Sequence, residues 1–326
     1  MFYLICFCLV LAAMFVVVTL TTLLSMPALR VVTAFTDRIR AGRAANFLFS
    51  LRALPLMLGI VASLGLVLPA FLEFEPSSTH ERPGLPLLIL AGLGLFIMFT
   101  MAWRCLRIVR QTYNLQRRWL KHATPLMASF KGVPVYCVQN SASLVAVAGI
   151  FVPRIFISQN VAKTLNSAEL EAALSHELAH VSARDNLKQF VLKMTQAPKF
   201  LRSLAVIDSL WTSTSELAAD ERAIAHGASA LELSSALVKV GRLSFERRSP
   251  LVAASHLVEG CGSATSARVG HLRQLLELGI SHEQAQSADD RNYRWLSGAA
   301  IALIFYLLVL GTVLPQIHEA LEFIVR

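Results

Sequence analysis

Residues 166–187 read NSAELEAALSHELAHVSARDNL, and five of them, His176-Glu177-Leu178-Ala179-His180, decide how the rest of the chain is read. The run from Ser167 to Met194 is expected to form one long helix. In a helix, positions i and i+4 lie about 40° apart on one face, so the two imidazoles can share a tetrahedral metal ion. Glu177 lies beside them. A carboxylate there is too constrained to be an easy third ligand, but it can take a proton from a water held by the metal. Leu170, Leu174, Leu178 and Val181 follow helical spacing on roughly the opposite side, which gives the helix a core face and a chemistry face. Asn166 or Ser167 can cap its start, and Glu169 and Glu171 put negative charge at the positive end of the helix dipole. Pro198 is expected to end the run.

Five residues alone can recur by chance, so a metal site needs a third ligand. It is offered downstream, where Ser215-Glu216-Leu217-Ala218-Ala219-Asp220-Glu221-Arg222 places Glu216 and Asp220 at i, i+4 on a second helix that ends near Gly227. A glutamate from a separate helix completes a His, His, Glu zinc site with one position left for water. Asp220, one turn on, can accept a hydrogen bond from the far nitrogen of a ligand histidine and fix its tautomer. A solvated helix face is the ordinary reading of such a pair. Following an H-E-x-x-H helix, the metal reading takes precedence.

The string from Pro153-Arg154-Ile155-Phe156-Ile157-Ser158, through Glu169-Leu170-Glu171-Ala172-Ala173-Leu174-Ser175 and the H-E-L-A-H set, to Arg184-Asp185-Asn186-Leu187 resembles the catalytic domain of the BlaR/MecR-type membrane metallopeptidases. Glu216-Leu217-Ala218-Ala219-Asp220-Glu221 is similar to that family's E-x-A-C-D signature, with Ala219 at the cysteine position. The resemblance covers roughly residues 130–280. The HtpX and CAAX-protease type is more distantly similar. The resemblance implies a gluzincin-class zinc endopeptidase, with one Zn2+ held by His176, His180 and Glu216, Glu177 as general base, and Asp220 behind the ligands. It also implies protein or peptide substrates, among them a cytoplasmic transcriptional repressor. Two segments depart from the family pattern. Ala197-Pro198-Lys199-Phe200 stands where a W-F-x-P type segment is common, and only His318 to Arg326 follow the last apolar stretch, where antibiotic sensors carry an external binding domain.

The chain has 326 residues, of which 55% are hydrophobic, and this composition excludes an ordinary water-soluble protein. Four stretches can span a bilayer: Met1 to Met26, Ala53 to Leu72, Pro83 to Trp103, and Leu296 to Ile317. Arg30, Arg38, Arg40 and Arg43 follow the first stretch, and Arg104, Arg107, Arg110, Arg117, Arg118 and Lys121 follow the third. The loop between the second and third carries Glu73, Glu75 and Glu81 against Arg82. Positive-inside bias then puts the basic connections and the catalytic segment in the cytoplasm and the loop between the second and third stretches outside; the resemblance implies the inner membrane of a bacterial cell. Arg52, close to the start of the second stretch, is expected to snorkel to the interface.

The fold class expected is mostly α, multi-pass: four transmembrane helices with an α+β gluzincin-like metallopeptidase domain. Three spans (about 1–26, 47–72 and 83–103) precede a cytoplasmic domain over 104–295; a fourth span at 296–317 and a short external tail at 318–326 follow. The formal net charge of +9 sits largely beside the spans, where it suits anionic lipid head groups. With no basic recognition helix and no aromatic-basic interleaving, direct nucleic-acid binding is not expected.

Leu106 to Leu120 is expected to continue the third span into the cytoplasm. Val133 to Val138, Ser143 to Ile150 and Arg154 to Ser158 are short, β-branched and bounded by Gly and Pro, which predicts a small sheet. By the gluzincin resemblance its edge aligns an extended substrate, and a purely structural edge is the competing reading. Ser229 to Phe245 and Thr265 to Leu278 are predicted helices, with a loop over Ser255 to Gly262. Amide hydrolysis needs a group to stabilise the oxyanion, and His226, His256, His271 and Arg268 are all candidates. Cys6, Cys8, Cys105, Cys137 and Cys261 show no metal-ligand spacing.

Overall fold

The computed structural model describes residues 1–25, 32, 36, 39–75, 82–139, 145–196, 202–246 and 261–277. Among the described residues, three helices are long and apolar enough to cross a membrane: α1 (Phe2–Ser25), α2 (Ala41–Phe74) and α3 (Leu85–Lys121). The fourth expected span, 296–317, lies outside the described residues. Helix α1 packs against both α2 and α3 around Ile5, Leu9, Val67, Phe71 and Leu87. At Gly94 a Cβ would fall 2.2 Å from the Leu11 carbonyl oxygen, so α1 and α3 touch backbone to backbone. The outer face of α3 exposes Leu88, Ile89, Phe96, Phe99 and Trp103, a larger apolar surface than water-soluble proteins present.

Helix α2 is α-helical over Ala41–Ile60, π-helical over Val61–Val67 and α-helical again over Leu68–Phe74. The residues it turns toward α1 explain the change of pitch. Gly59 meets Met14 and Val18, the Ser63 hydroxyl lies 3.9 Å from the Met14 sulfur, and Val67 and Phe71 are buried in the α1 cluster, with the Phe71 ring 4.9 Å from Phe2. These four are spaced by four residues. In an α-helix each such step drifts about 40° around the axis, and the wider π turns take up that drift.

Beyond Trp103, α3 continues to Lys121 and carries its basic residues clear of the apolar section, as expected. It runs beneath a four-stranded sheet of β1 (Ala123–Phe130), β2 (Val133–Val138), β3 (Val145–Ala148) and β4 (Arg154–Ser158), in the order β1-β2-β4-β3. Strands β2 and β4 are parallel and both outer pairs are antiparallel, which leaves β3 on an edge. Strand β1 was not anticipated. Pro125 and an exposed, weakly apolar sequence hide it, and both are tolerated because β1 is itself an edge. Phe156 turns to one face, onto Trp119 and Tyr136, while Val135, Ile155 and Ile157 meet Leu174 on the other.

Six further helices follow among the described residues: α4 (Gln159–Thr164), α5 (Ser167–Ser182), α6 (Asp185–Met194), α7 (Arg202–Ala225), α8 (Ala230–Glu246) and α9 (Cys261–Glu277). The single helix expected over Ser167 to Met194 is therefore two. Arg184 adopts a left-handed φ of 55°, and the chain turns there into α6. Helix α6 ends at Met194, before Pro198, which lies outside the described residues. Helix α9 begins at Cys261, inside the stretch expected to be a loop.

Arg52 does not snorkel. It is only 5% exposed, its Nε lies 3.0 Å from Asp208 Oδ1, and its guanidinium donates to the Thr195 carbonyl at 2.7 Å. The reason is that α2 begins eleven residues earlier, at Ala41, and its first turns dock on α6 and α7 through Leu48, Leu192, Leu204, Ile207 and Trp211.

Helix α5 starts in a capping box. Asn166 Oδ1 accepts from the Glu169 amide at 2.7 Å, and Glu169 Oε2 accepts from the Asn166 amide at 2.9 Å. The buried Glu169 carboxylate also accepts from Ser235 (2.6 Å) and Lys239 (2.7 Å), which ties the start of α5 to α8. Burial alone would raise this carboxyl; the bonds from Lys239, Ser235 and Asn166 outweigh it and bring it down to about 2 from 4.5. A lowered carboxyl contributes stability above its unfolded value, and loses it as pH falls from about 4.5 through about 2. Thermal unfolding in detergent should accordingly show Glu169→Gln less stable than wild type at pH 7, by about 1–3 kcal/mol, with the gap narrowing below pH 4.5 and closing only near pH 2. A gap independent of pH would show that the charge on Glu169 contributes nothing.

Candidate metal centre

The leucine face of α5 packs on the sheet, as its spacing predicts: Leu174 is buried there, with Leu170, Leu178 and Val181 against it. This sets the rotation of the helix and turns His176, Glu177 and His180 into a pocket of about 380 Å³ between β3, α5, α7 and α8. Helix α7 brings Glu216 to the same point. His176 Nε2 and His180 Nε2 are 3.2 Å apart, and each lies 3.5 Å from a Glu216 oxygen. Glu177 lines the pocket beside them, partly exposed.

Both histidines are oriented from behind. His176 Nδ1 donates to Asp220 Oδ1 at 2.8 Å, and His180 Nδ1 donates to Asp185 Oδ2 at 2.8 Å. With each Nδ1 carrying the proton, both Nε2 atoms present lone pairs toward one another and toward a carboxylate. A cation is what satisfies such a donor set. Tetrahedral zinc with ligand bonds near 2.05 Å has ligand–ligand edges of about 3.3 Å; the two Nε2 atoms are separated by 3.2 Å, the 3.5 Å approaches go to different Glu216 oxygens, and one ligand atom from each residue lies within 4.8 Å of the others. The charges agree. Four carboxylates (Glu177, Asp185, Glu216, Asp220) meet two direct cationic partners, Arg268 and Lys188, leaving an excess that a divalent ion balances.

The same field shows in the titration of the groups. Burial would lower His176, but Asp220 and Glu216 push it up to about 9 against the opposing charge of Arg268. Burial would raise Glu216, yet His176, His180 and Arg268 hold it down to about 2. A site that attracts a proton this strongly attracts a metal ion for the same reason, and uptake of the ion displaces the proton.

Of the four oxyanion candidates, the structure brings Arg268 to the centre. It lies 2.9 Å from Glu216 and is held by two bonds, of 2.6 and 2.8 Å, to Asp220, which is fully buried. His271 pairs with Glu221 at 3.3 Å, and His226 bonds the Arg222 carbonyl at 2.7 Å on the surface; neither lines the pocket. His256 lies outside the described residues.

Asp185 was quoted within the resembling string but assigned no role. In a straight helix it would point about 140° away from His180, and only the left-handed turn at Arg184 brings it back. Asn186 was missed for the same reason. Its side-chain amide donates to the carbonyls of Gly149 (2.8 Å) and Val147 (3.4 Å), binding the edge strand to α6. Gly149 has φ 116°, and a Cβ there would fall 2.2 Å from the Val152 carbonyl, so only glycine fits.

Residues 110–297, more than half of the chain, match the model of peptidase family M48, and the chain belongs to that family. M48 peptidases are metallopeptidases, zinc-dependent in general, and the His176, His180, Glu216 cluster fits that chemistry. The match is to M48 as a whole and assigns neither the BlaR/MecR type nor the HtpX type. No curated protein and no solved structure shows significant similarity to the chain.

Proposed function

We propose that this M48 peptidase is a zinc-dependent endopeptidase of the bacterial inner membrane that hydrolyses protein substrates at the cytoplasmic face. The observation that carries the reading is the convergence of His176, His180 and Glu216 at metal-ligand spacing, with Glu177 free to face the same pocket. The cytoplasmic orientation rests on the basic residues that follow the first and third apolar stretches.

A bound zinc ion supplies Lewis-acid polarisation of the scissile carbonyl and of the attacking water. His176, His180 and Glu216 would hold it. Glu177 accepts the proton of that water and passes it to the nitrogen of the departing amine. Asp220 and Asp185 keep the protons of the two imidazoles on Nδ1, so that Nε2 stays available. Arg268 positions Glu216 and Asp220 and offsets part of their charge.

Repressor cleavage, implied by the BlaR/MecR resemblance, and trimming of membrane proteins, as in the HtpX type, use the same site and differ in substrate. The test of the common chemistry is the metal content of the detergent-purified protein. About one zinc per chain is expected for wild type, and loss of tight binding together with loss of casein cleavage for Glu216→Ala. A Glu216→Ala protein that holds zinc and cuts like wild type would remove Glu216 from the ligand set.

A further inference from the structure

Strand β3 lies on an edge of the sheet, and in such a strand alternate residues turn both N–H and C=O away from the paired neighbour. Val145 and Val147 share one parity, and both line the pocket that holds His176 and His180. Gly149 continues that parity. The Asn186 side-chain nitrogen donates to the carbonyls of Val147 at 3.4 Å and Gly149 at 2.8 Å, so these two face the open edge. On a straight strand, carbonyls two residues apart stand about 6.4–6.8 Å from each other, too far for one nitrogen to hold both at those distances. The bend at Gly149, with its φ of 116°, draws them together.

The carbonyl between them is taken as well. Gln116 of α3 donates to Ala148 at 2.8 Å, so three successive carbonyls at the end of β3 are held by two carboxamides from two different helices. Asn186 follows directly on Asp185, whose carboxylate accepts from His180 Nδ1 at 2.8 Å. The first turn of α6 therefore both orients a metal ligand and covers the strand end beside it. A polypeptide that adds to a sheet edge does so by giving its amide N–H groups to the outward carbonyls. At Val147 and Gly149 the Asn186 amide already stands where those N–H groups would go. Toward Val145 the pocket wall continues, with Ala173, Ala236 and Val240 around it.

We propose that Asn186 is a specificity-determining residue: it ends the substrate-pairing edge of β3 at Val147, so that a polypeptide on this edge is held mainly by the residues C-terminal to the cut bond. The direction follows from the ladder. Antiparallel pairing is the stronger kind, and β3 runs from Val145 to Ala148, so an antiparallel substrate lays its N-terminal part at the closed end. The closed end begins within the stretch of β3 that lines the metal pocket, which leaves room for about two paired residues before the cut bond. Residues farther to the N-terminal side leave the edge and add no main-chain bonds. The inference rests on the peptidase reading above.

The experiment uses the full chain purified in detergent and a casein peptide spanning one cut site located by mass spectrometry. The peptide is lengthened stepwise, from about two to about six residues, on either side of the cut bond, and kcat and KM are measured per bound zinc. In wild type, kcat/KM is expected to keep rising with length on the C-terminal side and to level off after about two residues on the N-terminal side. In Asn186→Ala the longest N-terminal extension should gain about fivefold or more over the shortest, through KM, as the freed carbonyls accept new bonds. Each series is read against the same protein's shortest peptide, so a general loss of activity in the variant does not hide the gain, and the wild-type series decides alone if the variant does not fold. A continued rise on the N-terminal side in wild type, levelling on the C-terminal side instead, or an unchanged plateau in Asn186→Ala overturns the role of Asn186 and leaves the peptidase reading intact. No cutting of casein by wild type overturns both.

Discussion

Glu177→Gln is expected to lower peptide hydrolysis by about 10²–10⁴-fold while zinc content stays at the wild-type level. Glutamine keeps the size and shape of the side chain but cannot take a proton. Glu177 lines the pocket, is partly exposed and lies outside the three-residue ligand cluster, so its replacement leaves the fold and the ion site in place. Zinc content and casein cleavage measured on the same preparation separate the two effects. Unchanged cleavage would show that Glu177 is not the base, and absence of cleavage by the wild-type protein, with zinc bound, would make the chain read better as a membrane regulator that holds zinc without using it.

Asp220→Ala is the second large effect. Asp220 has no exposed surface, holds Arg268 by two hydrogen bonds, and accepts from His176 Nδ1. Removing it leaves a buried guanidinium with one partner fewer, at a cost of about 3–5 kcal/mol, and releases the imidazole, which lowers metal affinity about 10–100-fold. Asp220→Asn keeps an acceptor for His176 but not the charge for Arg268, and should fall between alanine and wild type. Urea unfolding and zinc titration of the three proteins give the order. Wild-type zinc affinity in the alanine variant would mean that His176 needs no orienting partner.

The core of the site was legible in the sequence because each part depends on helical phase alone. His176 and His180 share a face by their spacing, the leucines fix which face is buried, and Glu216 with Asp220 repeats the same i, i+4 logic on α7. What was not legible depends on a backbone exception or on tertiary distance. Asp185 and Asn186 reach the site through one left-handed residue in a segment whose composition reads as continuous helix. Arg268 was one of four candidates but could not be ranked above His226, His256 and His271, because it stands on α9, remote in sequence from the groups it meets. Arg52 was misplaced because periodicity does not reveal that α2 extends past its apolar section to dock on the catalytic domain.

The π-helical segment of α2 makes the second span intolerant of changes in length. Gly59 and Ser63 precede or begin the widened turns, and Val67 and Phe71 close or follow them, all facing α1. Loss of any one residue from 61–67 would rotate everything beyond it by about 100° and carry Phe71 off Phe2. Among descendants of this chain, point substitutions in the segment should therefore accumulate while insertions and deletions are purged.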